Sequence, residues 1–228
     1  MKICKYGVSL IRLRKEHIEL VRTKRNDPKI SGFMEYRDYI TPEMQEKWFD
    51  SINNIYNSYY LIEYENEYIG LINEKNINFE ERSSEAGLFI WEEKYLNTYV
   101  PLFASLCLLE VGFNILQGEK CYIKVHKDNR NAIDYNIKMG FELLSENPET
   151  GFKTLVLKRN GYEDKVRKII KAARTLAPGK TTSVLVLEKI DFTEGIGHFT
   201  QKLLDESPVD FKMKTEGDNL IYYYEWEI

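Results

Sequence analysis

One stretch of the chain gathers side chains that can handle protons and anions: Val125-His126-Lys127-Asp128-Asn129-Arg130-Asn131-Ala132-Ile133-Asp134-Tyr135-Asn136-Ile137-Lys138-Met139-Gly140-Phe141. His126 has an imidazole, whose ordinary pKa lies close enough to neutrality to give or take a proton. Ala132, Tyr135 and Met139 fall at i, i+3 and i+7, so on a helix they share one face. A tyrosine on such an apolar stripe tucks its ring inward and needs a partner for its hydroxyl. On these residues alone, core packing is the ordinary reading of Tyr135 and a solvated loop position that of His126. Cys4, Cys107 and Cys121 form no Cys-x-x-Cys pair and have no histidine cluster beside them, so no metal site is expected and free thiols are.

Several elements must position this stretch. Val8-Ser9-Leu10-Ile11-Arg12-Leu13 reads as a strand, and a helix from His17 should finish before Pro28. Thr41-Pro42-Glu43 has the pattern of a helix start, with Met44, Trp48, Phe49 and Ile52 on its apolar face. Tyr59–Glu63 and Tyr68–Ile72, joined through Glu65-Asn66, form a hairpin, and Ala86–Trp91 extends the sheet. Leu102–Leu116 is apolar on nearly every side and must be buried against that sheet. Cys121–Val125 is the strand that enters the stretch above. A helix from about Asn129 to Met139 ends at Gly140, which suits a C′ position. Phe141–Leu144 and Thr154–Leu157 close the unit. The order β-α-α-β-β-β-α-β-α-β-β is an α/β arrangement. Beyond Lys158-Arg159-Asn160-Gly161 come a basic helix (Glu163–Arg174), a strand (Ser183–Leu187), a helix around Phe199–Leu204 and two strands (Phe211–Lys214, Leu220–Trp226). We therefore expect a first domain over 1–159 and a small C-terminal α/β module over 160–228, docked on the first domain or on a second copy of the chain.

The 228 residues carry 32 Lys+Arg against 36 Asp+Glu, a net charge of −4, with 43% apolar and 30% charged residues. That is the mix of a globular protein and not of a disordered one. The mildly acidic balance argues against general nucleic-acid binding. No run of about 18 apolar residues is present to span a membrane. Met1–Tyr6 has no secretion-signal core, so a cytoplasmic location is expected.

Asn129-x-x-Ala132-x-x-Tyr135-x-x-x-x-Gly140-Phe141, placed after a strand, resembles the late motif of the GNAT N-acetyltransferases, and the upstream element order fits over about residues 8–158. Arg25-Asn26-Asp27-Pro28, Phe33-Met34, Tyr39-Ile40-Thr41 and Asn76-Ile77-Asn78-Phe79 are more narrowly similar to acetyltransferases of nucleotide-linked amino sugars, of the pseudaminic-acid pathway type. The resemblance implies a GNAT-like mixed central sheet flanked by helices. It also implies transfer of acetyl from acetyl-CoA to the primary amine of a small molecule by direct attack. The cofactor would lie in a splay between the strands ending at Trp91 and Val125. Tyr135 would protonate the departing thiolate, Asn129 would hold the pantetheine and the helix start, and Arg130 and Ala132 would also contact the cofactor. Backbone donors at the end of Glu85–Trp91 would polarise the thioester carbonyl. Glu85, His126 or a water chain would take the amine proton. Arg25, Tyr36, Arg37 and Tyr39 would receive the acceptor.

The chain departs from the family's glycine-rich pyrophosphate loop. In its place stands Lys94-Tyr95-Leu96-Asn97-Thr98-Tyr99-Val100-Pro101, without glycine, and Pro101 has no N–H. Amides near Asn97, Thr98, Tyr99 and Val100, helped by Lys94 and Arg130, would hold the phosphates, or the fold has lost strong CoA binding. Gly195-Ile196-Gly197 reads as a turn before a helix. Lys165, Arg167, Lys168, Lys171 and Arg174 read as a solvated helix face over Val166, Ile169 and Ile170. Tyr222-Tyr223-Tyr224-Glu225-Trp226 reads as a strand with one packed face, its other aromatics free for an oligomer contact or for stacking a sugar. Three functions follow as expectations: transfer to a nucleotide-linked amino sugar; transfer to a protein N-terminus, polyamine or antibiotic; or a non-catalytic binding protein of GNAT descent.

Overall fold

The computed structural model describes residues 1–225, so Trp226 lies outside the described residues. Its strands are β1 (Lys2–Lys5), β2 (Val8–Arg12), β3 (Ser58–Tyr64), β4 (Glu67–Asn78), β5 (Ser83–Ile90), β6 (Lys120–His126), β7 (Glu142–Glu146), β8 (Phe152–Lys158), β9 (Ser183–Leu187), β10 (Lys212–Glu216) and β11 (Asn219–Tyr224). They form one 11-stranded sheet in the order β10-β11-β9-β1-β2-β3-β4-β5-β6-β8-β7. Neighbours run antiparallel except β5 and β6, which run parallel. The expected hairpin is β3–β4, closed by Glu65 (φ 51) and Asn66 (φ 62), the two positive-φ positions of a type I′ turn.

Helices cover both faces. On one face lie α1 (Ile18–Arg25), α2 (Pro28–Ser31) and α3 (Pro42–Ile52). Thr41 caps α3 by accepting from the Met44 amide at 3.2 Å, with Pro42 in the first turn as its sequence requires. Here Ile18, Val21 and Phe49 close over Tyr59, Leu61 and Leu71. The alternate residues Tyr60, Ile62 and Ile72 point to the larger core on the opposite face, as the two-residue period of a strand demands. That face carries α4 (Val100–Glu110), α5 (Arg130–Lys138), α6 (Arg159–Gly161), α7 (Arg167–Leu176), α8 (Lys189–Thr193) and α9 (Ile196–Asp205). α4 is buried as expected, but ends in a π-helical turn over Val111–Ile115. There Gly112 sits so close to β4 that a Cβ would come within 3.0 Å of Glu74 Oε1.

The C-terminal strands extend the common sheet: β9 pairs with β1, and β11 with β9. β1 was not expected, because Lys-Ile-Cys-Lys is too short and polar to read as a strand; it forms because β2 and β9 pair with both of its edges. Val166 and Ile170 point inward, and the Tyr162 ring stacks on Phe113 at 4.5 Å. Tyr222 and Tyr224 are buried against Phe211. Gly197 belongs to packing: a Cβ there would stand 2.8 Å from the Phe192 backbone nitrogen. Cys107 and Cys121 are buried free thiols, and Cys4 is half-buried. Among the described residues no helix is long and apolar enough to cross a membrane.

Candidate active site

β5 and β6 pair only from Ser83↔Lys120 to Ala86↔Ile123. Past that point each stays bound on its outer edge, β5 to β4 as far as Ile90 and β6 to β8 as far as His126. The two inner edges therefore part, opening a V in mid-sheet. β5 reflects this, since all of it except Ile90 is only half-buried although it lies well inside the sheet. The Trp91 amide donates to the Ile69 carbonyl at 2.9 Å. Strand residues alternate their hydrogen-bonding direction, so Gly87 and Phe89 also address β4 while Leu88 and Ile90 turn their amides and carbonyls into the opening. Trp91 is thus committed elsewhere; its indole N–H also donates, to the Tyr68 carbonyl at 2.7 Å.

The helices that follow the parting strands are α4 and α5, and Tyr135 joins them. Its hydroxyl donates to Ser105 Oγ on α4 at 2.8 Å, and burial pushes its pKa up to about 12. The phenol keeps its proton throughout the neutral range. Asn129 caps α5, its Oδ1 accepting from the Ala132 amide at 3.2 Å, and Arg130 is exposed in the first turn. Gly140 adopts φ +97 directly after α5, the left-handed conformation that ends the helix.

At the start of α4 the amides are partly taken. Thr98 donates to the Tyr95 carbonyl at 3.1 Å, and the Val100 amide donates to Thr98 Oγ1 at 3.2 Å. Asn97 and Tyr99 keep amides without partners among the described residues. Lys94 pairs with Glu67 at 2.7 Å.

On the opposite face Glu85 is 16% exposed and held by two lysines, Lys75 Nζ at 2.9 Å and Lys124 Nζ at 3.8 Å. His126 follows β6 but packs edge-on against Phe152 at 5.1 Å, its Nδ1 accepting from the Asp128 amide at 3.4 Å. Arg25 lies over the Phe89 ring at 5.8 Å, with desolvation lowering its pKa. Tyr36 and Tyr39 are exposed; Tyr39 accepts from Arg22 at 3.1 Å, and Arg37 donates to the Met34 carbonyl at 3.1 Å. Arg25 is therefore turned over the sheet, while the other three are solvent-exposed on the 27–40 loop. Asn26 closes the neck of that loop with two bonds to Ile40, 2.9 and 2.8 Å. Glu35 ties it across to Lys124 at 3.5 Å.

The sequence pointed to backbone donors at the end of this strand without assigning them to Leu88 and Ile90, and it did not single out Ser105 or Asn73. Asn73 is buried on β4 opposite Gly87, its Nδ2 without a partner, so close that a Cβ on Gly87 would stand 2.8 Å from its Oδ1. The available signal was Gly87 itself, since a glycine inside a strand marks a close approach.

Residues 8–142 match the model of the acetyltransferase (GNAT) domain family. No curated protein matches the chain. Among solved structures, the spermidine N-acetyltransferase of Vibrio cholerae in complex with CoA and spermine superimposes with a TM-score of 0.63 at 19% identity, covering 69% of this chain and 99% of that one. A domain from Methanocaldococcus jannaschii gives 0.58 at 16% identity, covering 66% and 97%. A dodecameric form of the Vibrio cholerae enzyme gives 0.57 at 19%, covering 69% and 97%. The narrower likeness to amino-sugar acetyltransferases finds no support among these structures. The chain belongs to the GNAT acetyltransferase family.

Proposed function

We propose that this GNAT-family enzyme moves acetyl from acetyl-CoA to the primary amine of a small molecule that also carries an anionic group, of which a nucleotide-linked amino sugar is the representative. The parted edge of β5 carries the reading. Leu88 and Ile90 offer peptide groups along which a pantetheine arm can lie as an added strand, and an amide donor for a thioester oxygen. Asn97, Tyr99 and Arg130 are the groups left to hold phosphates. Bound there, acetyl-CoA supplies an acetyl carbon open to attack and a thiolate leaving group. Tyr135 holds a proton at Oη that a departing thiolate can take. Glu85, beside the point where the strands part, accepts the amine proton directly or through water. His126 is the less suited base, because its ring is engaged by Phe152 and Asp128.

The choice of acceptor rests on charge. Arg25 is half-buried with no ion pair among the described residues, whereas Glu85 and Glu35 on the same face are already met by lysines. An anion fits this balance better than a polycation. A polyamine acceptor is the second reading, favoured by the likeness to the Vibrio cholerae spermidine N-acetyltransferase in complex with spermine.

Thiol release from acetyl-CoA, followed against a panel of amines, tests both. Turnover of phosphate-bearing amines ahead of spermidine is expected. Preference for spermidine would replace the first acceptor with the second, and no thiol release with any amine would overturn acetyl transfer itself.

A further inference from the structure

The cavity between the sheet and α9 lies away from the parted strands. It has a volume of about 60 Å³, room for roughly four waters where one needs about 10–15 Å³. Its walls are mainly apolar, with Ile77, Phe199 and Leu203 among them. Phe79, from the β4–β5 loop, stands at the mouth against Phe199 (5.3 Å) and Tyr56 (6.0 Å).

Arg12 also lines this cavity. It is 5% exposed, and its Nε has no hydrogen-bond partner. Among the described residues its guanidinium makes a single long hydrogen bond, from Nη2 to Asn53 Oδ1 at 3.4 Å. No carboxylate lies within ion-pair distance among the described residues. A guanidinium this deep without an anion is costly. Arg14, two residues on, shows the contrast, because it meets Glu188 at 2.5 Å. Ser58 and Asn54 stand at the same cavity with further polar groups.

We infer that this cavity is a binding site for a short-chain monocarboxylate, its carboxylate on Arg12 and its hydrocarbon body against Ile77, Phe199 and Leu203. The geometry selects the class. A planar guanidinium fork matches a carboxylate, the walls reject a second charge, and the volume admits roughly four to six non-hydrogen atoms. The C-terminal segment supplies the α9 wall, which gives residues beyond 160 a role in ligand binding. The inference does not depend on the acetyl-transfer reading.

Calorimetric and thermal-shift titrations of the full chain with sodium butyrate, butyramide and n-butylamine test it. Saturable binding and a rise in Tm are expected for butyrate alone. Arg12→Gln should weaken butyrate at least tenfold. Thr200→Met fills the cavity from α9 and should do the same while leaving Arg12 in place, so the test survives if Arg12→Gln fails to fold. Equal responses to butyrate and butyramide would overturn the proposal. So would no response to butyrate, or butyrate binding retained in Thr200→Met.

Discussion

Glu74 lies on β4 opposite Ala86, buried beneath Gly112 of the π-helical turn. Burial, only partly offset by a hydrogen bond from Ser84, raises its pKa from 4.5 to about 7. Below pH 4.5 the carboxyl is protonated in both folded and unfolded chains and contributes no pH dependence. Between 4.5 and 7 the unfolded chain releases its proton while the folded chain retains it, so stability falls as pH rises. Above 7 both are ionised and the full penalty is in place. A shift of about 2.5 units at about 1.4 kcal/mol per unit makes that penalty roughly 3 kcal/mol. Glu74→Gln keeps the shape and removes the titration. Urea unfolding of both proteins should give stabilities within about 1 kcal/mol of each other at pH 4.5. At pH 8 the variant should be ahead by roughly 3 kcal/mol. Because every other titrating group is shared, it is the difference that carries the result. Parallel stability profiles across this range would refute the reasoning.

Three further outcomes follow from the site. Tyr135→Phe should lower kcat by about 10²–10⁴ while leaving the dissociation constant of acetyl-CoA within a few-fold, as loss of a general acid requires; unchanged kcat would remove the phenol from the reaction. Arg25→Gln should raise KM about tenfold or more for phosphate-bearing amines and leave spermidine unaffected, checked by steady-state kinetics on both. Asn129→Ala removes the cap of α5 and should cost about 1 kcal/mol in denaturant unfolding; a loss below a few tenths would show that the cap contributes little.

The legible part of this fold is the part written in local chemistry. Thr41-Pro42, the Glu65-Asn66 turn and the run from Asn129 to Gly140 each carry their own cap, turn or stop signal, and each forms the element it announces. β1 is different: Lys-Ile-Cys-Lys has no signal of its own and becomes a strand only between two partners far away in sequence. The joining of β9–β11 to the common sheet is invisible for the same reason. At the site, helical spacing placed Tyr135 on the inward face of α5, while its role and that of Asn129 came only from the resemblance to the GNAT motif. The donors of Leu88 and Ile90 were not, since backbone parity depends on which carbonyl the Trp91 amide finds. Asn26 stood within a recognised motif, yet its work, closing the loop onto Ile40, appears only when both ends are in place. Arg12 read as an ordinary strand residue because nothing local shows that α9 will cover it.

On the proposed function, the opening between β5 and β6 must hold acetyl-CoA although the start of α4 lacks glycine. Calorimetric titration of the full chain with acetyl-CoA tests it most directly. Saturable binding at one site per chain is expected, displaced by CoA and weakened by Arg130→Ala. At 100 times its dissociation constant the ligand should stabilise the fold by about 2.7 kcal/mol. The absence of heat and of any Tm shift at millimolar ligand would contradict the claim and leave a GNAT fold that no longer holds its cofactor.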